Sequence, residues 1–158
     1  MSRLVLLDNT VMSNFAQAQV VSAVYDLWGQ EVCTTPDAFA EYQTGVAMVG
    51  LPHLAWRDIQ IIKPSEDEQS FGIELSARLG KGERSCLSVA LMRNGVFATD
   101  DLFARQVAQR YKIAIIGTVG ILLLCIKRNV LSNTQAQTTL EKMIAFGYRS
   151  PIDDLRTI

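Results

Sequence analysis

The chain has 158 residues, which is enough for one domain with an ordinary hydrophobic core and leaves no room for a second. A hydrophobic fraction of 49% and a charged fraction of 20% are typical of a globular protein and exclude a mostly disordered chain. The net charge of −1 argues against a protein that coats nucleic acid through bulk positive charge, although it allows a local basic surface.

The start of the chain shows no targeting or anchoring pattern. Residues 1–7 combine one basic residue with a short apolar run that ends at Asp8, unlike a signal peptide. The longest apolar stretch, residues 113–126, contains two glycines and a threonine and is shorter than the ~20 residues that span a bilayer. Three cysteines, each within an apolar run, indicate buried thiols in a reducing compartment. We therefore expect a cytoplasmic protein.

The first half of the chain alternates aliphatic runs with helical patterns. Residues 4–7 form a continuous aliphatic run, which is typical of a strand buried on both faces of a parallel sheet. Ser65 and Glu68 form a capping box that predicts a helix through about Leu79. The other predicted elements are helices over residues 11–16 and 20–28, a strand over 31–34, a helix opened by Thr35 and Pro36, and a strand over 59–62.

Glycines mark the element boundaries in the second half. Gly80 and Gly82 precede a helix that we predict from about Glu83 to Asn94, and Gly147 closes the last helix. The other predicted elements are strands over residues 96–99 and 113–116, and helices over 101–110, 118–127 and 133–146. Strands that alternate with helices imply right-handed crossovers and a parallel sheet covered on both sides.

We therefore predict a three-layer α/β/α fold with a central, mainly parallel sheet. The predicted domain covers residues 1–150, and a short polar tail covers residues 151–158.

Five acidic residues are placed where such a fold binds ligands. Asp8, Asp100 and Asp101 each follow a predicted strand, and ligands of open α/β sheets bind outside the carboxyl ends of the strands. Glu41 and Glu83 lie on predicted helices that can point across the same end of the sheet.

Taken singly, each of these carboxylates can be explained as a helix cap or a solvated side chain. Several together need a cation or a shared proton, because two carboxylates ~4 Å apart repel by ~4 kcal/mol at an effective dielectric constant of about 20. Hard oxygen ligands without a matching set of His or Cys indicate Mg²⁺ or Mn²⁺ and not zinc. His53 stands alone beside Pro52 and is interpreted as a loop residue.

Four acidic motifs follow one another in a fixed order. They are Leu6-Leu7-Asp8-Asn9-Thr10, Glu41 on the helix after Thr34-Thr35-Pro36, the glycine-then-acid helix start over residues 80–90, and Ala98-Thr99-Asp100-Asp101. Their order and spacing resemble the PIN-domain family, and within it the bacterial and archaeal branch related to VapC-type toxins. Asn9 stands where this family often has a small hydroxyl residue, and Glu83 stands where Asp is commoner.

The resemblance implies a ribonuclease that depends on Mg²⁺ or Mn²⁺. It implies that Asp8, Glu83 and Asp101 hold the metal, that Glu41 contacts it directly or through water, and that Asp100 is the alternative to Asp101. The implied substrate contacts are Thr10, Thr99, Lys81, Arg84 and Arg105. Phosphate contacts of this kind position a strand without reading its sequence. The resemblance also implies a homodimer and a small antitoxin partner.

Other classes of protein share parts of the pattern. A haloacid-dehalogenase-like phosphatase also begins with a strand and an aspartate, but it needs a second Asp where this chain has Thr10. Dinucleotide-binding folds and P-loop proteins need glycine motifs that Gly80-Lys81-Gly82 does not satisfy. The alternative that stays open is a catalytically silent PIN fold that serves as a binding or assembly module.

Overall fold

The computed structural model describes residues 3–49 and 55–157, so Pro52 and His53 lie outside the described residues. The described strands form one five-stranded sheet in which every pair is parallel. In chain order the strands are β1 (Val5–Leu7), β2 (Val32–Thr34), β3 (Gln60–Ile61), β4 (Val96–Ala98) and β5 (Ala114–Ile116). Their order across the sheet is β3-β2-β1-β4-β5. The predicted parallel sheet is confirmed.

Helices connect these strands and cover both faces of the sheet. They are α1 (Asn9–Gln17), α2 (Val21–Trp28), α3 (Pro36–Val49), α4 (Glu66–Glu74), α5 (Lys81–Met92), α6 (Leu102–Arg110), α7 (Thr118–Lys127) and α8 (Asn133–Ala145). No helix in the described ranges is long and apolar enough to cross a bilayer.

Alternate side chains of β1 enter two separate hydrophobic cores. Val5 and Leu7 pack in the core formed with α1, α2, α7 and α8, whereas Leu6 packs in the core formed with α5 and α6. All three side chains are buried, which explains why the sequence of this strand is continuously aliphatic. The fold is therefore the predicted three-layer α/β/α arrangement.

The strand order reverses between β1 and β4, because the strands after β1 are added on one side of it and those from β4 onward on the other. From β1 the chain moves through α1 and α2 to β2 on one side, and it later returns to β4 on the other side of β1. Because crossovers of this kind are right-handed, α1 and α6 leave the sheet toward opposite faces. A crevice opens between the carboxyl ends of the two strands, where open α/β folds bind ligands.

The two predicted helix boundaries beside the glycine-rich turn are wrong. The capping box of Ser65 and Glu68 is present, but α4 ends at Glu74 and not at Leu79, because Leu75 turns extended and buries its side chain in the core. Helix α5 begins at Lys81, two residues before the predicted start, so its second glycine lies inside the first turn.

The cysteines and the C-terminal segment both contribute to the packing. Cys33, Cys86 and Cys125 are buried and free, as predicted. A short 3-10 turn, Leu155–Thr157, buries Leu155 against the core on the α8 side, and the backbone N–H of Leu155 donates to Gln137 at 2.9 Å.

Candidate active site

Asp8 and Thr99 join the carboxyl ends of β1 and β4 at the base of the crevice. The backbone N–H of Asp8 donates to the carbonyl of Ala98 at 2.9 Å, and the Thr99 hydroxyl donates to Asp8 Oδ2 at 2.7 Å. The other carboxylate oxygen accepts the backbone N–H of Asn9 at 2.6 Å, so Asp8 also caps α1. With 2% of its surface exposed, Asp8 has a carboxylate in one fixed position.

Glu41 joins α3 to both α5 and α1. One carboxylate oxygen accepts the backbone N–H of Gly82 at 3.0 Å, and the other accepts the side-chain amide of Asn9 at 2.7 Å. A Cβ at Gly82 would lie 2.8 Å from both the Cα of Ala38 and Oε2 of Glu41. The second glycine of the glycine-rich turn is therefore required for the close approach of α5 to α3.

Glu83 projects from the first turn of α5 into the same region. Its Oε2 atom is buried and has no hydrogen-bond partner among the described residues. A buried carboxylate oxygen without a partner is costly, since it has lost its water and gained nothing in exchange. This atom therefore indicates a place where an absent ligand or water would bind.

Asp100 and Asp101 turn to different surroundings. Asp101 caps α6 by accepting the backbone N–H of Ala104 at 2.7 Å, and its own N–H donates to the Thr99 hydroxyl at 3.2 Å. Asp100 turns toward the start of α7, where it accepts the backbone N–H of Thr118 at 2.8 Å and also the Thr118 hydroxyl. Asp101 is thus the member of the doublet next to Thr99 and Asp8.

The carboxylates influence one another electrostatically. Burial, helped by the nearby charges of Glu41 and Asp101, raises the pKa of Asp8 to about 6, against the lowering effect of the Thr99 and Asn9 hydrogen bonds. The pKa of Glu83 rises to about 7, mainly through burial and then through the charges of Asp8, Asp101 and Glu41. The four carboxylates therefore form one acidic cluster, which we define as Asp8, Glu41, Glu83 and Asp101.

The chemistry of this acidic cluster fits a hard divalent cation. Its potential ligands are all carboxylate oxygens, and the unpartnered Oε2 of Glu83 lies within it. In the part of the chain that the structure describes, no three His, Cys, Asp or Glu side chains already converge into a metal cage. The residues thus suit a cation chemically without forming a preassembled cage.

The predicted substrate residues fall into two groups. Thr10 is exposed on α1 and lines a cleft that also contains Asp101, while Arg105 on α6 donates to the carbonyl of Thr99 at 3.3 Å. Lys81 and Arg84 line a separate cleft of about 250 Å³ between α4 and α5. Thr99 is buried and holds Asp8, so its hydroxyl is not free for a substrate.

Several contributors were missed by the sequence analysis. Asn9, which looked like a departure from the family pattern, donates to Glu41 and thereby links α1 to α3. Asn14 and Tyr148 approach Asp100, with distances of 3.4 and 3.3 Å to its carboxylate oxygens. The unusual residue at position 9 was a usable sign of a new contact. Nothing local in the sequence connects Tyr148 with Asp100, because only the tertiary fold brings them together.

Comparison with known protein families agrees with this fold and site. The model of DUF3368, described as a PIN domain, matches residues 4–158, and the chain therefore belongs to this PIN-domain family. PIN domains are generally nucleases that use divalent metals, so the fold is of a nuclease type. No curated protein and no solved structure matches the chain significantly. The predicted PIN-domain family is thus confirmed, while the VapC-type branch stays a prediction.

Proposed function

We propose that the protein is a metal-dependent endoribonuclease that hydrolyses RNA phosphodiester bonds. The observation that supports this most is the unpartnered, buried oxygen of Glu83 within the acidic cluster. Two of the four carboxylates, Asp8 and Glu83, have raised pKa values, and one oxygen of Glu83 has no hydrogen-bond partner among the described residues, which favours a bound cation over a purely structural role. A PIN domain supplies the nuclease context for that cation.

The four acidic residues have two kinds of role in this proposal. Asp8, Glu83 and Asp101 would hold Mg²⁺ or Mn²⁺, and Glu41 would contact the ion directly or through water. Bound there, a divalent ion supplies a water of lowered pKa and neutralises charge on the phosphate. Thr99 and Asn9 orient the carboxylates of Asp8 and Glu41.

Basic residues around the site would position the RNA backbone. Arg105 lies beside Thr99, and Lys81 and Arg84 lie on either side of Glu83 along α5. Each can contact a phosphate without reading a base, so the proposal covers RNA as a class and names no sequence.

We also propose a biological setting for the enzyme. The VapC-like resemblance suggests the toxin of a toxin-antitoxin pair in the cytoplasm, forming a homodimer and held silent by a small antitoxin protein. The three buried thiols agree with a reducing compartment. A monomeric mass in solution at working concentration would contradict the homodimer.

A catalytically silent PIN fold that binds or assembles is the second candidate. The observation that favours it is that no three potential ligands already converge in the described ranges. A silent module has no reason to bind a divalent ion at the acidic cluster, so metal affinity separates the two candidates.

The first experiment is cleavage of a mixed-sequence single-stranded RNA by the purified protein with Mn²⁺ or Mg²⁺. We expect metal-dependent cleavage that is abolished by EDTA and by Asp8→Asn, because that substitution removes a central carboxylate of the cluster. Asp26→Asn is the matched control, since Asp26 is exposed on α2, outside the acidic cluster.

Cleavage at equal rates by the parent and by Asp8→Asn would reject the site assignment. Absence of cleavage together with no heat on titration of Mn²⁺ would favour the silent module.

A further inference from the structure

A cleft beside Asp101 runs between α1 and the segment that follows α8. It has a volume of about 400 Å³. Thr10, Ser13 and Gln17 line it from α1, and Phe146 and Arg149 line it from the other side. Because Asp101 belongs to both the cleft and the acidic cluster, the cleft opens directly onto the candidate active site.

The segment after α8 is fixed in place against the site. Gly147 takes a φ of +108°, which turns the chain sharply, and the N–H of Tyr148 then donates to the carbonyl of Met143 at 3.0 Å. The Tyr148 hydroxyl donates to Asp100 at 3.3 Å. Asp100 thus connects this segment with the strand end that carries Asp101, and it serves as a positioning residue.

The outer wall of the cleft carries an unusual pair of side chains. Phe146 is 58% exposed, although a large aromatic ring gains free energy when it is buried. Arg149 is exposed and forms no ion pair with the residues that the structure describes. An aromatic face beside a free guanidinium is the combination with which proteins bind single-stranded RNA, through base stacking and phosphate contact.

The cleft beside Lys81 and Arg84 lacks this combination. It is smaller, at about 250 Å³, and none of its lining side chains is aromatic. The α1 side is therefore the better match to a nucleotide.

We propose that the cleft between α1 and residues 146–149 binds the nucleotide next to the phosphate that is cleaved. Phe146 stacks on the base, Arg149 contacts a phosphate, and the hydroxyls of Thr10 and Ser13 face the sugar and backbone. The substrate class in this inference rests on the proposed ribonuclease function. Stacking on one ring tolerates every base, so the cleft contributes affinity and strand direction more than sequence preference.

The test is fluorescence anisotropy with a labelled, mixed-sequence single-stranded RNA and Mn²⁺, in the Asp8→Asn background to suppress cleavage. We expect Phe146→Ala combined with Arg149→Gln to weaken binding by about tenfold or more, since stacking alone contributes about 1–3 kcal/mol per base. Met92→Ala combined with Arg110→Gln is the matched control, because both residues are exposed, on α5 and α6, and neither lines this cleft or the cleft of Lys81 and Arg84. The control pair should bind RNA as the parent does, and neither pair should change the melting temperature.

The inference would be overturned if the variant with both Phe146→Ala and Arg149→Gln bound RNA within about twofold of the Asp8→Asn protein, since one stacked base is expected to contribute far more. Equal losses in both pairs, or no RNA binding by the parent, would overturn it as well. Cleavage by the protein with Asp8 intact is measured separately. If the Phe146→Ala and Arg149→Gln variant lost RNA affinity but the protein with Asp8 intact cleaved no RNA, the result would support RNA binding in the cleft and reject the ribonuclease proposal.

Discussion

Asp100 and Asp101 are adjacent in the chain, but their side chains contact different parts of the structure. Side chains of consecutive extended residues point in opposite directions, so one carboxylate faces the acidic cluster and the other faces the start of α7. Asp101 contributes its charge to Asp8 and Glu83, whereas Asp100 is occupied by hydrogen bonds. Their separate contacts predict separate effects of substitution.

Asp101→Asn should lower Mn²⁺ affinity by about tenfold or more while leaving the fold intact, because Asn is an equally good helix cap. Asp100→Asn should keep the Mn²⁺ affinity but destabilise the protein by about 1–3 kcal/mol, since its amide would face the donors of Thr118. Calorimetric titration and thermal denaturation measure the two effects. Loss of Mn²⁺ affinity in Asp100→Asn with unchanged stability would reverse the assignment.

The raised pKa values of Asp8 and Glu83 predict how stability depends on pH. In the folded state both groups stay protonated to a higher pH than their ordinary pKa values of 3.8 and 4.5 would give. Protonation of these two groups therefore favours the folded state. This stabilisation is fully present below the ordinary pKa values, and it is lost as pH rises through the raised pKa values of about 6 for Asp8 and about 7 for Glu83. The loss for the buried Asp8 is about 3 kcal/mol.

In EDTA, the melting temperature should therefore fall between about pH 4 and about pH 7, the range between the ordinary and the raised pKa values of the two groups. Mn²⁺ should raise it more at the higher pH, because the ion binds the deprotonated carboxylates. Asp8→Asn should show a shallower fall. A melting temperature that does not change with pH in EDTA would show that the carboxylates are not buried together.

At the scale of elements, the contact between α3 and α5 decides where Glu41 and Glu83 lie. The two helices meet so closely at Gly82 that its N–H reaches the carboxylate of Glu41. A side chain there would push the helices apart and separate the two glutamates.

Gly82→Ala should destabilise the protein by about 1–3 kcal/mol despite the better helix propensity of alanine, because the new methyl group meets the backbone of α3. Gly45→Ala in α3 is the matched control. Its Cβ would meet no described atom within 4 Å, so it should stabilise by up to about 1 kcal/mol. Denaturant titration measures both. Equal effects of the two substitutions would mean that the close approach at Gly82 does not occur.

The sequence was informative about elements and less so about contacts between them. The aliphatic run of β1 and the polar residue after it were enough to place Asp8 at a strand end, because buried parallel strands have a distinctive composition. The end of α4 was not predictable, because burial of Leu75 and Leu79 in the core overrides local helix propensity. The contact of Tyr148 with Asp100 joins residues 48 positions apart and leaves no local pattern.

The assignment of acidic residues within the site shows the same limit. The spacing from Thr99 favoured Asp101, and the structure gives it the capping and electrostatic contacts beside Asp8.

For the whole molecule, a net charge of −1 means that any affinity for RNA comes from a few local cations. The candidate contacts are Lys81, Arg84, Arg105 and Arg149. Single-stranded nucleic acid releases about 0.7 counterion for each neutralised phosphate.

The slope of log affinity against log salt should therefore be no steeper than about −3 for four such contacts. Anisotropy titrations of Asp8→Asn at several KCl concentrations would measure it. A slope steeper than about −5 would require an extended basic surface that these four residues do not supply.

The sheet order has a consequence for synthesis of the protein on the ribosome. Strand β1 lies between β2, which follows it early, and β4, which is made much later. The four carboxylates of the acidic cluster come from positions 8, 41, 83 and 101, so a nascent chain that has not yet extruded β4 holds an incomplete set. Any activity of this cluster therefore begins only after residue 101 has left the exit tunnel.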